Sequence, residues 1–132
     1  MTLDELNEHR HRIRRLRTAQ DLLSALRGSS LRAAAPDGMP RAPSNADRVA
    51  ALAVKCAEQD AVVRRCARLV RESEPPVRAF VDTIEDNRTN LIFYLRFLCG
   101  EDWQEVADTI GGGNSPDAVK AVCYRYLRER GL

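Results

Sequence analysis

Two short helical patterns that meet at a glycine constrain this chain most. Between Asn87 and Ile110, apolar residues recur at three- and four-residue steps, pause at Gly100 and then resume. A third helical pattern follows the turn sequence Gly111-Gly-Gly-Asn. Short helices joined by tight turns are the layout of a helix-turn-helix. The sequence therefore predicts an all-α C-terminal domain over residues 75–132.

The last of these helices carries the candidate site. Ser115 can cap it, and Pro116 suits its first position. Its inward side is predicted to consist of Val119, Val122, Cys123, Tyr126 and Leu127. Its outward side, which could enter a DNA major groove, is predicted to consist of Asp117, Lys120, Ala121, Tyr124, Arg125 and Arg128. Ser115 could hold a phosphate at the helix start. The alternative is that this side is only the solvated exterior of a three-helix core.

Two longer helical patterns precede this domain. They predict helices over residues 3–27 and 45–73, and a proline-rich loop over residues 33–46 separates them. Helices of similar length joined in this way most simply fold back on each other, so the sequence predicts a long antiparallel helical hairpin over residues 1–74.

The predicted hairpin has a thin apolar seam. In the first helix, His9 and Gln20 occupy seam positions, and Cys56 and Gln59 do so in the second. Leu or Ile at these places would bury more apolar surface. A homodimer formed through this hairpin, or binding of another partner to it, is therefore a reasonable hypothesis.

The pair Pro75-Pro76 is expected to end the second helix, because a proline disfavours helical geometry in the residue before it. Pro76 can then open a third helix that ends near Asp86 and Asn87. The domain boundary is accordingly predicted near residue 74. Two further caps are predicted, one by Thr2 with Glu5 and one by Asp102 with Glu105.

Charge is unevenly distributed along the chain. The net charge is +2, but residues 87–132 contain six basic and six acidic side chains. Because affinity for DNA scales with the phosphates neutralised, this part alone should bind weakly and need dimerisation or a second protein. Five arginines lie between Arg10 and Arg17. They could form a second phosphate-binding stripe or meet an acidic partner, or they could be a solvated exterior paired with Glu58, Asp60 or Glu72.

Other classes of protein find little support in the sequence. There is no glycine-rich phosphate loop after a strand and no paired catalytic motif, so we predict no enzyme, no catalytic residues and no cofactor. The spacings of the four cysteines, Cys56, Cys66, Cys99 and Cys123, match no zinc site, so no metal is predicted. No apolar run approaches the roughly 20 residues that cross a bilayer, and the acidic start does not resemble a signal peptide, so the protein is expected to be cytoplasmic.

A resemblance to a known family is carried by three motifs, namely Leu95-Arg-Phe-Leu-Cys-Gly-Glu-Asp-Trp-Gln-Glu-Val-Ala, Asp117-Ala-Val-Lys and Tyr124-Arg-Tyr-Leu. Together they resemble the fourth conserved region of sigma-70-type factors, which reads the upstream promoter element. The N-terminal helices and the loop from Met39 to Arg48 resemble small phage and prophage proteins related to late-gene transcriptional activators.

The resemblance implies roles for individual residues. It implies a structural core that contains Trp103, Val106 and Ala107. It implies a DNA surface formed by Ser115, Asp117, Ala118, Lys120, Ala121 and Tyr124, with Arg96 near the DNA backbone. This chain departs from the family pattern between Val106 and Val119. The turn there is longer by about two residues than the usual sigma-like turn, and it contains Gly111, Gly112 and Gly113. The glycines predict a loose turn.

These observations lead to a functional hypothesis. The expected function is a sequence-specific, double-stranded-DNA-binding transcriptional regulator of phage or prophage type that acts with RNA polymerase at a promoter. One alternative is a polymerase-binding adaptor that does not read DNA. Another is the small subunit of a phage DNA-packaging machine, which also combines a helix-turn-helix with long helices.

Overall fold

The computed structural model describes the backbone of residues 1–34 and 43–132 and the side chains of residues 1–32 and 46–132. The helices are α1 (Leu3–Ala34), α2 (Pro43–Asp82), α3 (Asn87–Phe93), α4 (Trp103–Ile110) and α5 (Pro116–Glu129), and a π-helical turn, Tyr94–Leu98, continues α3. The prediction of an all-α protein with long helices before short ones is confirmed. Most of the predicted loop 33–46 lies outside the described residues. The sequence also predicts that Ser44, with Asp47, caps the second helix, but the side chain of Ser44 lies outside the described residues as well. None of the described helices is both long and apolar enough to cross a membrane.

Helix α1 is longer than the sequence predicts. Its start is as expected, because Thr2 and Glu5 form a capping box in which the Glu5 carboxylate accepts a 2.7 Å hydrogen bond from the Thr2 amide. Its end is not at residue 27, since the helix continues through Gly28 to Ala34. A glycine inside a helix costs only about 1 kcal/mol relative to alanine, which does not stop a helix whose neighbours favour it.

Helix α2 runs through the proline pair that was expected to end it. The helix continues to Asp82, so the predicted break at residue 74 and the separate third helix are wrong. Without an N–H on Pro75 or Pro76, the carbonyls of Arg71 and Glu72 cannot accept their usual helical hydrogen bonds. Arg71, Glu72, Pro75 and Pro76 are all exposed, so water can hydrate the backbone there.

The chain divides into two compact units. The first unit joins Met1–Arg14 to Leu69–Leu132, and the second is Arg15–Arg68. This grouping differs from the predicted division at residue 74, which stays a prediction about functional domains. The first turns of α1 belong with the C-terminal helices because Leu6 and His9 are fully buried within the first unit.

In the first unit, α1 and the C-terminal part of α2 lie antiparallel. His9 Nδ1 lies 2.6 Å from the hydroxyl of Ser73, and Arg12 donates a 3.0 Å hydrogen bond to the carbonyl of Leu69. Burial lowers the pKa of His9. The imidazole thus fills a core position beside a hydroxyl partner.

The core of the first unit draws on every helix. Its buried residues are Leu6, Val77, Val81, Ile84, Ile92, Phe93, Leu95, Phe97, Val106, Ala107, Val119, Cys123 and Leu127. From Thr89 to Cys99 the sequence predicts an apolar stripe of Leu91, Ile92, Leu95 and Leu98, of which Ile92 and Leu95 are buried and Leu91 is 40% exposed. Phe93 and Phe97, which lie outside this stripe, are completely buried. Phe97 lies within the π-helical turn, whose wider turn changes the phase of the side chains from there on, whereas Leu91 and Phe93 precede it.

In the second unit, buried apolar side chains are few. The described core residues of this unit are Ala19, Leu23 and Cys66. Gln59 donates a 3.0 Å hydrogen bond to the carbonyl of Ala19. Ala19 is buried at the seam, whereas Gln20, which was predicted to lie there, is exposed. Small and polar residues therefore contribute much of the packing between α1 and α2 in this unit.

Candidate nucleic-acid interface

Helices α4 and α5 begin as the sequence predicts. The Asp102 carboxylate accepts a 2.8 Å hydrogen bond from the amide of Glu105, which caps α4. The Ser115 hydroxyl accepts a 3.1 Å hydrogen bond from the amide of Ala118, and Pro116 is the first residue of α5. These side-chain caps satisfy amides that a helix start leaves without partners. The first turn of α5 thereby has a fixed direction.

The turn between α4 and α5 is held by specific hydrogen bonds. Gly111, Gly112 and Gly113 all have positive φ angles, between 66° and 75°, which glycine adopts without strain. The side-chain amide of Asn114 donates a 2.6 Å hydrogen bond to the carbonyl of Gly111. Arg88 on α3 donates a 2.7 Å hydrogen bond to the Asn114 side chain. The turn that the sequence predicts to be loose therefore has a defined conformation tied to α3.

Helix α5 separates a buried side from an exposed side. Val119, Cys123 and Leu127 are buried, as predicted, and burial raises the pKa of the Cys123 thiol to about 12. The exposed positions are Ser115, Asp117, Ala118, Ala121, Tyr124, Arg125 and Arg128, and Lys120 is half-buried. The candidate residues on α5 thus share one outer surface.

A chain of ring and cation contacts joins α5 to the preceding helices. The guanidinium carbon of Arg96 lies 4.3 Å from the ring centre of Trp103. Trp103 meets Tyr124 edge to face at 6.3 Å between ring centres, and the Lys120 ammonium lies 5.5 Å from the Tyr124 ring. Such contacts orient aromatic rings and long cationic side chains. Tyr124, which is 39% exposed, is consequently held in place rather than projecting alone.

Arg96 is half-buried within the π-helical turn, just before the loop that leads to α4. Its Nη1 donates a 3.0 Å hydrogen bond to the carbonyl of Glu101. The same carbonyl accepts a 3.3 Å hydrogen bond from Nε of Arg10 on α1. Local sequence patterns do not predict that Arg10 lies beside the helix-turn-helix, because Arg10 and Glu101 are 91 positions apart in the chain.

Potential metal ligands do not cluster in the parts of the chain that the structure describes. No group of three or more His, Cys, Asp or Glu side chains there could hold a metal ion. No disulfide joins any two of Cys56, Cys66, Cys99 and Cys123, all of which lie within the described residues.

Comparisons with known proteins add no relationship. The chain matches no protein-family model, and searches of curated proteins and of solved structures return no match. The likeness to sigma region 4 therefore rests on the sequence motifs alone.

Proposed function

We propose that this protein is a sequence-specific DNA-binding transcriptional regulator of phage or prophage type that acts with RNA polymerase at a promoter. The observation that carries the proposal is the outer side of α5. It presents a capped helix start, small residues at Ala118 and Ala121, and polar side chains at Lys120 and Arg125. Small residues let a helix approach base edges closely, while cations contact phosphates or guanine.

Charge supports assisted binding. Residues 87–132 carry equal numbers of basic and acidic side chains, and Asp117 lies in the first turn of α5. A duplex backbone attracts a neutral module only weakly. RNA polymerase would supply the additional affinity, and sequence preference would come from α5.

The test is selection of bound DNA from a random fragment pool by the full chain, with and without RNA polymerase. We expect one sequence to become enriched, more strongly with polymerase present. Absence of any enriched sequence in both arms would overturn the proposal.

A matched pair of variants assigns the selection to α5. Ala121→Glu places a carboxylate on the exposed side of α5, whereas Ala79→Glu places one at an exposed position of α2. Because a contact with the wrong base chemistry costs about 1–3 kcal/mol, Ala121→Glu should weaken binding of the enriched sequence about tenfold or more. Ala79→Glu should leave it unchanged, and equal losses would count against α5 as the reading helix.

A polymerase-binding adaptor that does not read DNA is the second candidate. Leu91 and Tyr94 on and just after α3 are each 40% exposed, which favours contact with a protein surface. Together with the balanced charge, this supports protein binding without DNA. Co-purification with polymerase that persists in Ala121→Glu, without an enriched sequence in the wild type, would favour the adaptor.

A further inference from the structure

The side chain of Ile13 on α1 packs closely against Gly100, in the turn that precedes α4. Gly100 has a φ of +74°, and a Cβ atom there would lie only 2.8 Å from Cγ2 of Ile13. The burial of Leu6 and His9 anchors this part of α1 within the same compact unit. Arg10 and Arg14, which lie on the same part of α1 as Ile13, are thereby brought to the turn.

Three arginines converge there. Arg10 and Arg96 both donate to the carbonyl of Glu101, at 3.3 Å and 3.0 Å. Cδ of Arg14 lies 3.8 Å from the place where a Gly100 Cβ would be. Two of these cations come from α1 and one from the π-helical turn, so only the folded unit assembles them.

The cluster holds positive charges close together. Burial and the positive charge of Arg10 lower the pKa of Arg96, which means that the two guanidinium groups repel each other. Nε of Arg96 is buried and has no hydrogen-bond partner among the described residues. The Asp102 carboxylate lies near the cluster, and its pKa is lowered chiefly by the hydrogen bond that it accepts from the Glu105 amide and also by the positive charge of Arg14. The Glu101 carboxylate is the other acidic group on this turn, and its Oε2 is buried without a hydrogen-bond partner among the described residues.

We infer that Arg10, Arg14 and Arg96 form a phosphate-binding site that holds the DNA backbone beside the reading surface of α5. The site rests on the proposed function and deepens it. It is continuous with α5, because Arg96 contacts Trp103 and Trp103 contacts Tyr124. Guanidinium groups match phosphate geometry, and phosphate contacts of this kind set the register of a protein on a duplex.

The three arginines concentrate positive charge at one place in the first unit. Residues 87–132 are neutral as a segment, and residues 1–14 of the same unit contain three arginines and three acidic side chains. Arg10 and Arg14 add two cations at the turn before α4. The positive charge is therefore local to the arginine cluster, because the first unit as a whole contains eleven basic and fourteen acidic side chains.

The test compares Arg14→Gln with Arg15→Gln in the full chain. Arg14 and Arg15 are both exposed, but successive residues of a helix point about 100° apart. Binding to a random-sequence duplex is measured over a series of KCl concentrations. Because each phosphate contact contributes about −0.9 to the slope of log affinity against log salt, Arg14→Gln should reduce the magnitude of that slope by about 0.9. Arg15→Gln should keep the wild-type slope.

The outcomes separate this inference from the proposed function. A wild-type slope for Arg14→Gln, or no salt-dependent binding by the wild type, overturns the phosphate site, whatever the selection experiment finds. A reduced slope without any enriched sequence keeps the phosphate site and overturns the proposal of sequence-specific regulation. Equal melting temperatures for the two variants ensure that lost binding is not lost folding.

Discussion

Gly100 meets two separate structural demands at one position. Its φ of +74° lies in the left-handed region, where a side chain is disfavoured, and its missing Cβ leaves room for Ile13. The first demand ends the helical segment before α4, and the second allows α1 to pack against the turn. One residue therefore serves both the local turn and the long-range contact.

The two demands can be separated by comparing Gly100→Ala with Gly113→Ala. Gly113 has almost the same φ, +75°, but a Cβ there would have no neighbour within 4 Å. Left-handed geometry costs a residue with a Cβ about 1–2 kcal/mol, so we expect Gly113→Ala to lower the free energy of unfolding by that amount. Overpacking adds about 1–3 kcal/mol, so Gly100→Ala should lower it further. Urea unfolding measures both, and equal losses would contradict the close contact with Ile13.

At the scale of elements, α2 shows how periodicity outweighs a helix-breaking signal. Positions Val63, Cys66 and Val70 belong to the predicted seam, and the same three- and four-residue steps lead on to Ser73 and Val77. Ser73 contacts His9, and Val77 is buried in the core. The unbroken phase indicates one continuous helix, and the tertiary contacts of its inner side offset the cost of the two prolines.

A proline substitution tests the continuity of α2. A proline inside a helix costs about 3 kcal/mol relative to alanine, so Pro75→Ala should raise the free energy of unfolding by about 1–3 kcal/mol. Pro116 occupies the first position of α5, where proline is compatible with the helix. Pro116→Ala should therefore lower stability by about 0.4–1 kcal/mol, because the unfolded chain gains freedom. Thermal and urea unfolding measure these changes, and a loss of stability in Pro75→Ala would contradict a continuous helix.

At the scale of the whole molecule, the described side chains of the second unit bury little apolar surface. Its described core consists of Ala19, Leu23 and Cys66, while Leu22 and Val54 are at least half exposed. Small hydrophobic cores usually need additional burial to be stable. This supports the prediction that the protein pairs with a second copy through the long helices.

Light scattering tests the pairing directly. We expect a mass of twice the 14.8 kDa of one chain, and a melting temperature that rises with protein concentration, because association stabilises the folded state by mass action. A mass of one chain over the whole concentration range would contradict the prediction.

Local features of the protein follow from its sequence. The caps formed by Thr2, Asp102 and Ser115 act across three residues, and the inward and outward sides of α5 follow from the helical repeat. Hydrogen bonds and periodicities of this range depend only on near neighbours in the chain. All-α structure, the starts of α4 and α5, and the shared surface of the candidate residues could therefore be predicted without a structure.

Long-range packing decided the rest. The course of α2 through its prolines and the burial of Phe93 and Phe97 depend on contacts with other helices. The meeting of Arg10 with Glu101 joins residues 91 positions apart. A sequence pattern predicts which residues share one side of a helix. It does not predict which distant helix that side packs against, because this depends on the packing of the whole core. The candidate surface on α5 was thus determined by sequence, and the arginine cluster beside it only by the tertiary structure.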